Sequence, residues 1–359
     1  MKKFSIGLLI FFAAFGAFAQ SDLQPLAVVK LNKSETITVK QLKTRASFIQ
    51  KQYGMESLPI EQKQALLENL IAEKLITQAA AKEGLSVTDS QVDDAFLNTF
   101  SQQLGTRVSE AQLEDLIKKQ TGKSLDDYIK EYSGMSKSEY KAYLKNQLII
   151  QQYVFSKKQS EIQAVAATDE EIRNAYEMNK STFVWNDMMK LFLVMVPKGS
   201  NDMAARALAT DLRNKYKGDS KKSEEIKNSN ENGTNYRAGD ITVAKTAQQA
   251  QQLGWSIDKL NELFGKSAGY LSEVTETASD FQFYAVLKKY DAKMLSISDV
   301  VQPETTVTVY DYLKRNITSQ KQSQYFTEAA QEISKSLDIP SNVDRKKTGD
   351  ALKKLLNWQ

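Results

Sequence analysis

Apolar residues recur along this chain in two rhythms. From Leu58 to Gly84, the residues Leu67, Leu70, Ile71, Leu75, Ala79 and Ala80 return at spacings of three and four, which places them on one face of a helix. Gly84 follows as the residue that ends it. The same period runs through 109–160, where two or three helices are expected, the last of them long: Tyr140, Tyr143, Leu144, Leu148, Ile149, Tyr153 and Val154 keep one face. The starts are marked by capping boxes, in which a hydroxyl accepts the N–H three residues on and the longer side chain there reaches back. Thr88 with Gln91, Ser109 with Gln112, Ser136 with Glu139 and Thr168 with Glu171 have this form. Residues 306–336 return to the helical period through Val309, Tyr312, Leu313, Ile317, Phe326, Ala329 and Ile333.

The second rhythm is that of strands. Residues 26–42, LAVVKLNKSETITVKQL, predict a strand, a tight turn at Asn32–Glu35 and a short strand running into a helix. Lys190–Pro197, KLFLVMVP, sets six apolar residues between a lysine and a proline and predicts a buried strand. A helix over 201–216 follows, and the polar stretch 217–238 is expected as a mobile surface loop. WSIDKLNELF (255–264) predicts a short helix; YLSEVTET and FQFYAVLKKYD (281–291) predict an antiparallel pair. Beyond Pro340 lies a short, basic, weakly amphipathic tail. The expected fold class is α+β, mostly α, with an α/β region inserted between helical ones. Such an insertion lets the last helix return to the first, because domain termini tend to lie close together.

Length and composition fit this outline. A chain of 359 residues suggests two or three domains, and 41 % hydrophobic residues are enough to build their cores. The first twenty residues stand apart. Lys2 and Lys3 precede an apolar run from Phe4 to Ala19, and Ala17-Phe18-Ala19 has the small-x-small form of a cleavage site, so 1–19 reads as a signal peptide cut after Ala19. The run is shorter than the roughly 20 residues of a spanning helix, and no stable membrane anchor is expected. Cleavage lowers the formal charge from +4 to +2, with 46 basic against 44 acidic residues, which gives no support for a nucleic-acid partner. With no Cys and no His, lipidation at an N-terminal cysteine, zinc fingers, Cys/His nucleophiles and Ser-His-Asp triads are excluded. The acid pairs Asp93-Asp94, Asp126-Asp127 and Glu170-Glu171 fall near expected helix starts, where the helix dipole favours them, and no metal, cofactor or catalytic residue is assigned.

Residues 66–96, LLENLIAEKLITQAAAKEGLSVTDSQVDDAF, resemble the N-terminal domain of the SurA, PpiD and PrsA group of extracytoplasmic folding factors. TDEEIRNAYEMNKSTFVWNDMMKLFLVMVP (168–197) resembles that family's approach to a parvulin-type prolyl isomerase domain, with Tyr176, Lys180 and Phe183 in its Y-x-x-x-K-x-x-F. AGDI (238–241), Phe264–Gly269 and FYAVLKKYD (283–291) resemble a parvulin core, and 306–336 the returning helix. Between the signal peptide at 1–19 and the basic tail at 341–359, the resemblance implies a helical domain at 20–182, a parvulin-like domain at 183–297 and a returning helix at 298–340.

The resemblance also implies what has been lost. Active parvulins carry one histidine at the head of the first strand and another in the last. Here those places fall at Leu191 and at Ala285, or Tyr284 if the register slips by one. Rotation about a peptide bond crosses roughly 18–20 kcal/mol, and catalysis requires binding the twisted amide more tightly than either planar form. An apolar cup without polar groups binds both alike. Trp255 or Ile257, with Leu260 and Phe264, form such a cup in the expected fold, or simply its core. The sequence therefore reads as a non-enzymatic, ATP-independent periplasmic chaperone for unfolded outer-membrane or secreted proteins. The alternatives are a divergent prolyl isomerase and a scaffold for one envelope partner; nothing in the sequence sets the oligomeric state. Expected contacts are Trp185, Met188, Met189, Leu191, Trp255, Leu260, Phe264, Ala285 and tyrosines of the 140–153 helix.

Overall fold

Strand β1, Pro25–Val29, turns back through Lys30–Ser34 into β2, Glu35–Thr38, and the two pair antiparallel. The computed structural model describes residues 22–199 and 202–358, so the expected signal peptide lies outside the described residues. Thr38 then caps helix α1, Val39–Tyr53, in a capping box with Gln41. Next come α2 (Ile60–Lys82), α3 (Asp89–Leu104), α4 (Glu110–Thr121), α5 (Leu125–Ser133) and α6 (Lys137–Ala164). The capping boxes at Thr88, Ser109 and Ser136 start α3, α4 and α6. Past α2 the chain turns at Gly84, whose φ of 78° an L side chain rarely adopts.

The chain divides into two compact units, 1–166 with 320–359, and 167–319. In the first, β1 and β2 lay Leu26, Val29 and Ile37 on Leu67, Ile71 and Leu75 of α2. The returning helix, α12 (Val309–Leu337), packs Ala329, Phe326 and Ile333 against Ile76 and Ala80 of α2 and Val154 of α6. The segment expected as a basic tail is built into this unit. Strand β9, Val343–Arg345, pairs with the free side of β1, and helix α13, Gly349–Leu356, adds Leu352 and Leu356 to the core. Its few apolar residues all point one way, and burying each large side chain contributes about 1.5–3 kcal/mol.

In the second unit, α7 (Asp169–Asn179) sets Ile172 and Tyr176 against Leu295 and against Val309 and Leu313 at the start of α12. This packing places the observed division at 166/167 and 319/320 rather than at 182 and 297. Strands β4 (Met188–Pro197), β5 (Arg237–Ala244), β6 (Thr275–Glu276) and β7 (Asp280–Tyr290) form an antiparallel sheet in the order β5-β4-β7-β6. β3 (Val184–Trp185) and β8 (Lys293–Met294) pair separately. One face of the large sheet carries Phe192, Val194, Phe281 and Phe283 under α8 (Asp202–Tyr216). The other carries Met189, Leu191, Leu193 and Tyr284 under Trp255 and helix α11, Ile257–Phe264.

The stretch 217–238 is not simply a surface loop. It holds helix α9, Ser220–Lys227, and buries Ile226 and Tyr236, whose hydroxyl donates to the Ile226 carbonyl at 2.9 Å. Two apolar residues in a polar run give no periodicity to read, yet they suffice to seat the segment on the sheet. Two further elements, β5 and α10 (Ala247–Gln252), also went unpredicted. The result is an α+β fold, mostly helical, with the α/β unit between two parts of the helical one in sequence.

Candidate functional site

Two places answer to the sequence expectations, one in each unit. The first is the sheet face beneath α11. Leu191 pairs with Val286, and Phe192 with Ala285, so Leu191 and Ala285 project to opposite faces. Ala285 belongs with the α8 side; on the Leu191 side β7 carries Tyr284 and Val286. The one-residue slip considered from the sequence is therefore the register that shares a face. Tyr284 is buried, and burial pushes its hydroxyl up to about 12, helped by Tyr270 and Glu262.

Met189, Leu191, Trp255 and Leu260 come together here as packed interior, all at 6 % exposure or less, and do not form an open cup. The Trp255 ring lies 5.4 Å from that of Tyr284, and its indole N–H donates to Gln282 Oε1 at 2.6 Å. Lys259 sits 4.9 Å over the same indole and donates to Thr275 Oγ1 at 2.9 Å; burial pulls its pKa down. The face thus has polar groups that the sequence reading did not foresee, but they pair with one another. Phe264 and Met188 are half-buried and line a separate pocket of 380 Å³ with Lys245, Lys289 and Tyr290. Trp185 stands apart, its indole N–H donating to the Val301 carbonyl at 3.0 Å.

The second place is a groove of 430 Å³ in the helical unit, between the start of α1, the middle of α2 and the start of α6. Leu70 and Tyr143 supply its apolar surface, over the buried Ile37 and Met135. Its rim carries Thr44, Thr77 and Asn146, groups able to bond a peptide main chain. Arg45 is fixed across the groove by two bonds to Glu73, at 2.7 and 2.8 Å, and stacks 4.5 Å over Tyr143. Burial pushes the Glu35 carboxyl up, but Lys74 (2.6 Å) and Lys33 more than offset this and hold it below its ordinary value. These pairs make the walls rigid and self-neutralising, so an incoming segment meets apolar surface and hydrogen-bonding groups. Tyr143 is one of the tyrosines expected on α6. Arg45 and Glu73, both partly buried, were not expected, because polar positions of amphipathic helices carry no spacing signal. Among the described residues no cluster of three or more acidic side chains suits a metal ion.

Residues 1–154 match the family described as the SurA-like N-terminal domain. The match covers 154 of the 359 residues of the chain and does not extend to the unit at 167–319. The likeness to the SurA-like N-terminal domain lies in the N-terminal part of the chain, and the full sequence contains no histidine. None of the curated proteins compared with it matches. Among solved structures, it is similar to a SurA-like chaperone of Campylobacter jejuni, from work on PEB4 and the periplasmic protein Cj1289, at 16 % identity and a TM-score of 0.32, covering 90 % of this chain and 99 % of that one. It is also similar to PrsA of Bacillus subtilis (17 %, TM-score 0.28, covering 94 % and 100 %) and to the foldase protein PrsA of Streptococcus pneumoniae (16 %, 0.29, covering 90 % and 96 %). No helix of the described residues is long and apolar enough to cross a membrane.

Proposed function

We propose that the chain is an ATP-independent chaperone of the cell envelope, exported by the segment 1–19 and cut after Ala19, which shields apolar segments of unfolded outer-membrane or secreted proteins. The observation that carries this reading is the groove on the SurA-like lobe, where Leu70 and Tyr143 are partly exposed beside Thr44 and Asn146. Apolar surface gives affinity without sequence preference, and main-chain bonding tolerates any side chain. Met188 and Phe264, half-buried at the second pocket, are proposed as secondary contacts. The isomerase alternative has weaker support, since Leu191 and Tyr284 stand buried at the aligned positions and the cup beside them is filled by Trp255.

The test is light scattering of an aggregating, chemically unfolded envelope protein in the presence of the mature chain. Wild type should delay aggregation, and Ala142→Trp, an exposed groove residue enlarged into the opening, should abolish most of the delay without shifting the unfolding midpoint. No delay with wild type overturns the chaperone reading; an unaffected Ala142→Trp variant overturns the groove.

A further inference from the structure

We infer that the outer edge of β5 is a second binding site, which captures the main chain of an extended client segment carrying acidic residues at both ends. β5 is the last strand of its sheet and spans eight residues. Ala238 turns its N–H and carbonyl away from β4, since both bond the Asn232 side chain, at 2.9 and 3.1 Å. Successive residues of a strand alternate in hydrogen-bonding direction, so Asp240 and Thr242 also present theirs outward. Lys245 bonds the Asp187 carbonyl at 2.9 Å, which agrees with that phase. Asn232 closes the first outward rung, and Thr246 takes the Ala244 carbonyl at the far end, at 2.8 Å. Between them the N–H and carbonyl groups of Asp240 and Thr242 have no partner among the described residues, and both residues are exposed.

An open rung of this kind is a template for a further strand. Charge decides which strand. Arg237 and Lys245 bracket the open stretch; both are exposed, and neither has an ion-pair partner among the described residues. A second copy pairing antiparallel about Ile241 sets Arg237 opposite Lys245 at each end, so like charges face each other twice. A client segment with acidic ends meets the same two cations favourably. Asp240 does not oppose it, because its carboxylate is turned to Lys227 at 3.2 Å. Main-chain pairing is indifferent to the residues between the ends, which suits a protein that must accept many sequences.

The experiment uses the full mature chain and fluorescein-labelled peptides long enough to run from Arg237 to Lys245, with Thr/Val centres and Glu or Lys at both ends. The Glu-ended peptide should bind about fivefold tighter than the Lys-ended one at low salt, with the gap closing as salt rises. The double variant Arg237→Glu/Lys245→Glu should invert the preference. Thr242→Pro removes one outward N–H and no bond to β4, and should weaken binding about tenfold. N-methylating alternate peptide amides should weaken binding in one register and leave the other unaffected. Equal loss in both registers, or none, overturns main-chain pairing at this edge, as does binding unchanged by Thr242→Pro. A dimer that Thr242→Pro dissociates makes a second copy the occupant and overturns the client. Because Ala142→Trp leaves β5 untouched, loss of the groove and loss of the edge are read separately.

Discussion

Lys63 holds Trp358. Its ammonium lies 4.0 Å from the indole ring and donates to the carbonyls of Leu356 (3.2 Å) and of Trp358 itself, from a side chain that is almost wholly buried. A lysine of α2 thus satisfies the orphan carbonyls at the end of α13, almost three hundred residues later in the chain. Lys63→Met should cost about 1–3 kcal/mol, because it leaves buried carbonyls unpaired. Deleting 341–359 should cost more, since it also removes β9, Leu352 and Leu356. Urea unfolding followed by Trp358 fluorescence for the point variant, and by circular dichroism for the deletion, measures both. An unchanged midpoint on deletion contradicts a structural role for the segment.

Asp299 gives the α/β unit an acid-sensitive tie. Its carboxylate accepts from Lys293 Nζ at 2.8 Å and from the Ser296 N–H and hydroxyl at 2.7 and 2.9 Å, which together pull its pKa down to about 2. A carboxyl titrating lower in the folded chain stabilises it above its unfolded value of about 3.9, and that contribution fades as pH falls toward 2. After solvent screening, Asp299→Asn should lose about 1 kcal/mol at neutral pH and only a small part of that at pH 2, where the carboxyl is half protonated. Denaturant melts across that range check the convergence.

Asn232 imitates a missing strand. Its amide donates to the Ala238 carbonyl and to that of Lys227, while its oxygen accepts the Ala238 N–H. Asn232→Ala should destabilise the unit by about 1–2 kcal/mol and lengthen the open edge of β5. Thermal melts give the first effect, and sedimentation at high concentration shows whether the longer edge promotes self-association.

Cis-trans exchange of a short X-Pro peptide should run at its uncatalysed rate in the presence of the mature chain. Leu191 and Tyr284 are buried, and Trp255, Gln282, Lys259 and Thr275 beside them pair with one another, so no polar group is presented to a substrate amide. Exchange followed by NMR decides the matter, and a rate rising in proportion to protein concentration restores the isomerase reading.

Much of this architecture is legible in local pattern. Capping boxes at Thr88, Ser109, Ser136 and Thr168 fix helix starts because both partners lie within one turn. KLFLVMVP reads as a strand because a central strand buried on both faces must be apolar at every position. The absence of histidine closes the ordinary parvulin chemistry before any fold is known.

Three-dimensional packing decided the rest. Whether Leu191 faces Tyr284 or Ala285 depends on the pairing of β4 with β7, and a slip of one residue exchanges the faces. The seating of Ile226, Tyr236, Leu352 and Leu356 depends on surfaces far away in sequence, so their segments look like loop and tail until the cores form. The groove over Leu70 and Tyr143 and the open rungs of β5 are properties of what is left uncovered. Periodicity marks the residues that must be buried; a surface left uncovered exists only after every other element has found its partner.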